Sequence, residues 1–335
     1  MFQEAESSAA VVQAQLRLDR ARIAAAGKRL REFAPRAVVT CARGSSDHAA
    51  TYAKYLVETR AGVLTSSCAP SISSVYGVPQ RMNKCLFIAI SQSGQSPDLV
   101  AAARAARNAG ALVMVLVNMP DSPLAMTADI VLPLRAGPEL STAATKSFIA
   151  SLSTLVHLVG EWTGDAALLD ALGESPALLA RAWALDWQAA VAPLRTSQHL
   201  YTIARGVGLG IAQEAALKCK ETCRLHAEAF SGAEVRHGPQ ALLDEEFPAL
   251  VFSQDDETRD GLKALARDLV ERRVQVMVAG FSLPGALALP TVAAHPAIEP
   301  LLLAQSFYKL ANAVSLARHC DPDQPPHLRK ITETR

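Results

Sequence analysis

Short apolar runs of strand length alternate with helical stretches along almost the whole sequence. Runs such as LFIAI and LVMVLV are apolar at every position, whereas a strand with one exposed face would alternate polar and apolar residues. Strands that are buried on both faces and separated by helices are typical of parallel sheets, because a parallel crossover needs a long connection, usually a helix. The sequence therefore predicts an α/β protein with parallel sheets.

Two parts of the chain resemble copies of one α/β unit. VVTCARG matches LYTIARG, with Gly44 and Gly206 162 residues apart, and AISQS matches VFSQD, with Ser91 and Ser253 at the same offset. Two matches at one offset predict a tandem repeat. After the shared Ser-Gln, the second copy continues with acidic residues at 255–257. Because an acidic run repels anions, only the first copy is expected to bind one.

The chain of 335 residues is long enough for two such units with helical segments around them. Strands of the first unit are predicted at 37–41, 63–67, 84–90, 112–118 and 129–133. Strands of the second unit are predicted at 199–204, 249–252 and 273–279. The predicted organisation is a lead-in helix over 1–36, a first unit over 37–166, a helical connector over 167–195, a second unit over 196–319 and a C-terminal active-site tail over 320–335.

Charge, hydropathy and cysteine usage argue against several classes of function. The net charge is +1, from 33 Lys and Arg against 32 Asp and Glu, which gives no electrostatic basis for nucleic acid as the main partner. No apolar run approaches the ~18 residues of a membrane span, and the N-terminal sequence lacks the pattern of a signal peptide. The six cysteines are scattered, and no second Cys/His pair completes a zinc set. We expect a cytoplasmic protein with reduced thiols, no metal or cofactor, and no membrane or nucleic-acid partner.

The segment Ser91–Ser96, sequence SQSGQS, joins an apolar strand to a helix that opens at Pro97. Proline suits the first helical position, and serine suits the N-cap before it. A helix N-terminus presents unpaired N–H groups and Gly94 lets the backbone approach a ligand, so this loop can bind a phosphate without a lysine or a magnesium ion. It lacks the Gly-Lys-Ser/Thr of a nucleotide P-loop, which argues against ATP. The alternative is a serine-rich turn that caps an ordinary helix.

Two further hydroxyl-rich segments also precede helices. Gly44-Ser45-Ser46 follows the first predicted strand, and the segment 141–146 opens a long predicted helix. In an open parallel sheet such loops gather at the carboxyl ends of the strands, where ligands bind. Three hydroxyl-rich helix N-termini in one half of the chain make a phosphorylated small molecule the expected ligand.

The ionisable residues that suit catalysis lie in the second half of the chain. Glu214, Lys218 and Glu221 follow an i, i+4, i+7 spacing and share one helical face. The same spacing is typical of a solvated, salt-bridged face, which is the alternative. His237 follows at a predicted turn, where a lone histidine also fits a structural role. A carboxylate, an ammonium and an imidazole are together the groups that sugar-phosphate isomerisation needs for ring opening and for proton transfer between C1 and C2.

Four segments resemble the sugar isomerase (SIS) family: ISQSGQSPD, AGPELSTAATKSF, ALKCKETCRLHAEAFSGAEVRHGP and DPDQPPHLRK. The resemblance covers nearly the whole chain and is nearest to the isomerase half of the glutamine–fructose-6-phosphate aminotransferases, also known as glucosamine-6-phosphate synthases. It implies two tandem SIS-type, flavodoxin-like units, each with three αβα layers around a parallel sheet.

The resemblance also implies a role for particular residues. Glu221 would transfer the proton between C1 and C2, with Lys218 beside it. His237, contributed across the interface of a homodimer, would open the sugar ring, and Lys330 would reach the carbonyl carbon of the sugar or its amine. The residues implied to bind the phosphate and the sugar hydroxyls are Ser46, Ser91, Gln92, Ser93, Ser96, Thr142 and Ala144.

The aminotransferases of the family carry an amino-terminal glutaminase domain, whereas this chain has about 36 residues before its first predicted strand. The resemblance is therefore closest to the stand-alone deaminases, which convert glucosamine 6-phosphate and water to fructose 6-phosphate and ammonia. Galactosamine 6-phosphate is a second candidate substrate. The alternatives are a fructosamine-6-phosphate deglycase, an ammonia-dependent fructose-6-phosphate aminotransferase, and a sugar-phosphate sensor. A sensor could dispense with Glu221, His237 and Lys330, so the presence of all three favours an enzyme.

Overall fold

The computed structural model describes residues 1–330. Its strands are β1 Ala37–Cys41, β2 Thr65–Ser67, β3 Cys85–Ser91, β4 Leu112–Val117, β5 Ile130–Pro133, β6 His199–Ala204, β7 His226–Ser231, β8 Ala249–Phe252, β9 Val276–Ala279 and β10 Leu287–Leu289. Its α-helices are α1 Phe2–Glu6, α2 Ser8–Leu18, α3 Arg20–Phe33, α4 Ser45–Ala61, α5 Ser71–Ser74, α6 Pro97–Asn108, α7 Lys146–Thr163, α8 Ala166–Ala184, α9 Val191–Thr196, α10 Leu209–Cys223, α11 Arg259–Glu271 and α12 Glu299–Ala317.

The chain forms two compact units. We call the one built around β1–β5 the first unit; it contains Ala10–Glu139, Lys146–Gly173 and, at the end of the described chain, Arg329 and Lys330. We call the other the second unit; it contains Met1–Ala9, Leu140–Thr145 and Glu174–Leu328. The predicted α/β architecture with parallel sheets is confirmed in each of them.

The sheet of the first unit has the strand order β2-β1-β3-β4-β5 and is parallel throughout. The registers pair Val39 with Phe87 and Ile90 with Leu116. The strand order changes direction between β1 and β3, and in an open parallel sheet the crevice at such a switch point is the place where ligands bind. The topology therefore predicts a ligand site at the loops that follow β1 and β3.

The sheet of the second unit has the order β10-β9-β8-β6-β7 and is also parallel. Read from β7 to β10, this order repeats that of the first sheet, with β6 in the place of β1 and β8 in the place of β3. The repeat at an offset of 162 residues is thus a repeat of topology as well as of sequence. Described by themselves, the two units are copies of one fold.

Apolar packing between each sheet and its helices explains why the elements form. In the first unit, α6 buries Leu99 and Ala103 against Phe87 and Val113 of the sheet. In the second unit, α11 buries residues spaced three and four apart, including Leu262 and Leu269, while its opposite face is polar. Burial of these side chains is the main stabilising contribution to each unit.

Several elements differ from the sequence prediction. The predicted lead-in helix is interrupted at Ser7 and Asp19 and forms α1, α2 and α3; near the first interruption the Ser7 and Ser8 hydroxyls donate to backbone carbonyls of the preceding turn, which competes with the helix ladder. The long helix predicted to open in the segment 141–146 begins only at the last residue of that segment, Lys146. Strands β7 and β10 were not predicted. Among the described residues, none of the helices is both long enough and apolar enough to cross a membrane.

Candidate active site

The loop that follows β3 is organised by its own serine side chains. The Gly94 N–H donates to Ser91 Oγ over 3.0 Å, and the Gln95 N–H donates to Ser93 Oγ over 3.3 Å. Ser96 is the N-cap of α6, as predicted, but its hydroxyl makes no capping hydrogen bond to the helix. Because Ser91 and Ser93 accept from the backbone, their own O–H groups can still donate to an anion.

Gly94 is required at this loop by both its conformation and its surroundings. Its φ is +64°, which disfavours any residue with a side chain, and a Cβ here would collide with the Ser122 hydroxyl. The Gly94 carbonyl in turn accepts from the Leu124 N–H over 3.0 Å. The backbone is therefore held in one conformation at the N-terminus of α6, where a phosphate would meet the positive end of the helix dipole.

The loop after β1 lies beside this one, because β1 and β3 are neighbours in the sheet. Its Gly44 is the N-cap of α4, and half-buried Ser46 is the second residue of that helix. An ion pair links the two loops: the Arg43 Nε and Nη2 donate to Asp98 Oδ2 over 3.1 and 2.9 Å. Asp98 is buried in the first turn of α6. Of the residues predicted to bind the phosphate and the sugar hydroxyls, the first unit thus brings five to one edge of its sheet: Ser46, Ser91, Gln92, Ser93 and Ser96.

Arg43 and Asp98 were not among the site residues predicted from the sequence. The sequence does contain a signal for this pair. An arginine precedes Gly44 and an aspartate follows Pro97, and a parallel sheet brings these two loops together. What the sequence could not show is that the two side chains pair and so fix one loop against the other.

The carboxylates and the lysine of α10 form a buried cluster in the second unit. Lys218 has no exposed side-chain surface; its Nζ lies 3.4 Å from Glu214 Oε1 and also contacts Glu221 Oε2. The Tyr308 hydroxyl donates to Glu214 Oε1 over 3.0 Å. The alternative of a solvated salt-bridged face is therefore wrong for Glu214 and Lys218.

Burial and charge act in opposite directions on the pKa of Lys218. Burial alone would lower it, but the Glu214 and Glu221 carboxylates and their hydrogen bonds outweigh burial and raise the pKa above its usual value. Lys218 therefore remains an ammonium. Glu221 is the most exposed member of the cluster, with 19% of its side chain accessible, so a carboxylate oriented by a buried lysine faces solvent.

His237 lies at the end of the 3-10 turn Glu234–His237 and is exposed. Its predicted role across a subunit interface stays a prediction. Thr142 and Ala144 are half-buried in the loop before α7. The Thr142 N–H donates to the carbonyl of Asp323 over 3.2 Å, so part of the C-terminal tail lies against this loop.

Lys330 contacts a buried carboxylate that the sequence analysis did not single out. Its Nζ lies 3.2 Å from Glu139 Oε2, and both residues belong to the first unit. Glu139 stands in the segment AGPELSTAATKSF, immediately before the hydroxyl-rich loop, which was the available signal. The predicted tail extends to residue 335, and residues 331–335 lie outside the described residues.

Comparison with known sequences identifies a family. The family model of the SIS domain matches residues 34–159 and 193–279. A glutamine–fructose-6-phosphate aminotransferase (isomerising) from Zymomonas mobilis is 35% identical over 320 residues, which are 88% of this chain and 51% of the relative. The chain spans about half the length of the curated relatives that it matches.

Solved structures share the whole fold. A proposed phosphosugar isomerase from Silicibacter pomeroyi DSS-3 is 39% identical with a TM-score of 0.93, over 96% of this chain and 99% of that one. A glucosamine-6-phosphate deaminase from Thermotoga maritima has a TM-score of 0.74 over 93% of this chain and 98% of that one. At 22% identity, this second similarity shows the fold alone.

Proposed function

The chain belongs to the SIS domain family, and from this premise we propose that it is an isomerising hexosamine-6-phosphate deaminase. The reaction converts glucosamine 6-phosphate and water to fructose 6-phosphate and ammonia. It consists of ring opening, proton transfer between C1 and C2, and hydrolytic loss of the amine. The reverse of this reaction is the same chemistry with ammonia as the nitrogen donor, and the names of the curated relatives, isomerising aminotransferases, favour it as the second candidate.

The buried lysine–carboxylate cluster is the observation that carries the proposal. A lysine enclosed by two carboxylates is costly to desolvate, and a surface helix face has no need of it. Here Lys218 is fully buried while the carboxylate it contacts, Glu221, keeps an accessible surface. This is the arrangement of a positioned base: Glu221 takes a proton from one carbon and returns it to the neighbouring one, and Lys218 orients it and balances negative charge as the enediol forms.

The serine loops of the first unit suit the phosphate of such a substrate. Ser91, Ser93 and Ser96 offer hydroxyls at the N-terminus of α6, and Ser46 offers one at the N-terminus of α4. Gln92 adds a side-chain amide, half-buried in the same loop. Two helix N-termini and several neutral donors bind a dianion without a metal ion.

The remaining residues have proposed roles that follow the family resemblance. His237, from the second copy of a homodimer, opens the sugar ring by proton transfer. Lys330 acts at the carbonyl carbon or the amine of the open-chain sugar. Thr142 and Ala144 contact the sugar. The supporting features are the exposure of His237 and the anchoring of Lys330 to a buried carboxylate.

Ammonia release from a panel of amino-sugar phosphates tests the proposal. The panel contains glucosamine, galactosamine and fructosamine 6-phosphates, with unphosphorylated glucosamine as the control. We expect ammonia and a ketose 6-phosphate in equal amounts, fructose 6-phosphate from glucosamine 6-phosphate or tagatose 6-phosphate from galactosamine 6-phosphate, and no turnover of glucosamine. Release of an amino acid from fructosamine 6-phosphates alone would identify a deglycase instead. Tight binding of sugar phosphates without any turnover would identify a sensor.

A further inference from the structure

Glu139 is a buried carboxylate with donors on two sides. Its side chain has no exposed surface. Oε1 accepts from the Ser147 N–H over 3.1 Å, and Oε2 accepts from the Ser147 hydroxyl over 2.7 Å. Oε2 also accepts from Lys330 Nζ over 3.2 Å. Ser147 is the second residue of α7, so Glu139 lies at the positive end of that helix.

The contact between Glu139 and Lys330 differs from a surface ion pair. An exposed pair contributes little to stability, whereas a buried carboxylate needs a compensating charge as well as hydrogen bonds. Ser147 and the helix N-terminus supply neutral donors, and Lys330, which is only 25% exposed, supplies the cation. A buried Glu139 carboxylate without a cation beside it would be unfavourable. The Lys330 ammonium is therefore most stable in the position where it contacts Glu139.

The backbone near Lys330 gives it little support of its own. From Cys320 to Lys330 the described chain forms turns and bends but no helix or strand. A lysine on such a segment loses side-chain and backbone entropy when it is ordered, and a specific interaction must offset that loss. The Glu139 contact spans 191 positions of sequence and holds Lys330 within the first unit.

We infer that Glu139 is the positioning residue for Lys330: its buried carboxylate at the N-terminus of α7 holds the ammonium of the tail lysine in its working place. The inference builds on the proposed function, in which Lys330 acts on the substrate. Glu139 itself acts through Lys330. Removal of its charge should release the tail, and turnover should fall because Lys330 is no longer held.

Glu139→Gln is the discriminating variant, because glutamine keeps an acceptor for Ser147 but has no negative charge to form an ion pair with an ammonium. Ser147→Ala is the matched control, since it removes one neutral hydrogen bond from the same carboxylate. Amide hydrogen exchange over residues 320–330 reports tail order without any reference to activity. We expect exchange there to rise about tenfold in Glu139→Gln and in Lys330→Met, and to change little in Ser147→Ala.

Kinetics with hexosamine 6-phosphate supply the second readout. We expect Glu139→Gln to lower kcat about 10- to 100-fold with a smaller effect on KM, and to add nothing further in the Lys330→Met background. Glu139→Asp, which keeps the charge, should recover part of the rate.

Two outcomes would overturn the inference. One is tail exchange in Glu139→Gln that matches wild type, and the other is a loosened tail with wild-type turnover. If wild-type protein turns over no member of the panel, the proposed function fails, and the exchange measurement still decides whether Glu139 holds Lys330. If Glu139→Gln does not fold, Lys330→Met keeps the exchange test decisive, because it breaks the same contact from the exposed side.

Discussion

Lys218 lies fully buried against Glu214, with 3.4 Å between Nζ and Oε1. The two residues are spaced i, i+4 on α10, a spacing that is equally common on solvent-exposed helix faces. The Tyr308 hydroxyl also donates to this Glu214 oxygen. The pair is therefore part of the interior of the second unit, and it sets the position from which Lys218 reaches Glu221.

Glu214→Gln should destabilise the second unit strongly. The substitution keeps the shape and the Tyr308 hydrogen bond but leaves the buried Lys218 with one carboxylate fewer, at a cost of about 3 kcal/mol. Urea unfolding measures the change in the free energy of unfolding. The control is Lys263→Met, which removes an exposed i, i+3 pair with Asp260 and should leave the midpoint almost unchanged. Equal effects of the two variants would contradict a buried, structural ion pair.

Stability should fall in mild acid through His157, which is buried on α7. Burial lowers its pKa, in spite of Glu161 and Asp19, which act in the opposite direction; Arg20 adds to the lowering. The unfolded chain therefore takes up a proton near the ordinary value of 6.5, while the folded chain does so only at lower pH. The free energy of unfolding should decrease as the pH falls below about 7, and level off below the folded-state pKa. Over this pH range, the free energy of unfolding of His157→Gln should decrease less than that of wild type.

An anion should bind at the N-terminus of α6 and not at the matching loop of the second unit. In the second copy the Asp255 N–H already donates to the buried Glu299 carboxylate over 2.6 Å, and the loop carries its own acids. Crystals grown with sulfate or a sugar phosphate should show density against Ser91, Ser93 and Ser96. Ser93→Ala should raise KM about tenfold, because it removes a donor to a charged group. The control Ser253→Ala, at the position of the second copy that matches Ser91, should leave KM unchanged, and an anion at residues 255–257 would contradict the assignment.

The C-terminal tail should be needed for activity but not for folding. Deletion of residues 325–335 should leave the fold and the oligomeric state intact, while abolishing turnover and weakening sugar-phosphate binding. The melting temperature should fall somewhat, because the buried Glu139 carboxylate loses the Lys330 ammonium. Lys330→Met should reproduce the loss of turnover. The tail contains three prolines, and a stiff segment loses less entropy on docking than a flexible one. A truncated protein with wild-type turnover would remove Lys330 from the active site.

Most strands of the first unit were predictable because they are largely apolar runs; the exception is the short β2, whose sequence is TSS. Strands β3 and β4 match their predictions within one residue at each end. The same criterion fails for β7, an edge strand whose sequence HAEAFS includes polar residues and is buried only at Ala227, and for the three-residue β10. Edge strands obtain most of their stability from pairing with a neighbour, and local sequence does not report that pairing.

Part of the candidate site could likewise be predicted from the sequence, and part of it could not. The Ser91–Ser96 loop is a local motif, so the sequence indicates both the helix N-terminus and the groups that it presents. Spacing places Glu214 and Lys218 on one face, but surface and interior helices use the same spacing, so burial could not be predicted. The contact between Glu139 and Lys330 joins residues 191 positions apart, and only the folded chain shows it.

The central claim is that Glu221 transfers a proton between adjacent carbons of a sugar phosphate, and hydrogen exchange with solvent measures that step directly. Wild-type protein is incubated in deuterium oxide with fructose 6-phosphate, and incorporation at C1 is followed by NMR. We predict steady incorporation by wild type and by the control Glu228→Gln, which changes an exposed carboxylate of β7 in the same unit. Glu221→Gln should still bind the sugar phosphate but lower the exchange rate about 10²- to 10⁴-fold. Exchange at the wild-type rate in Glu221→Gln would contradict the account.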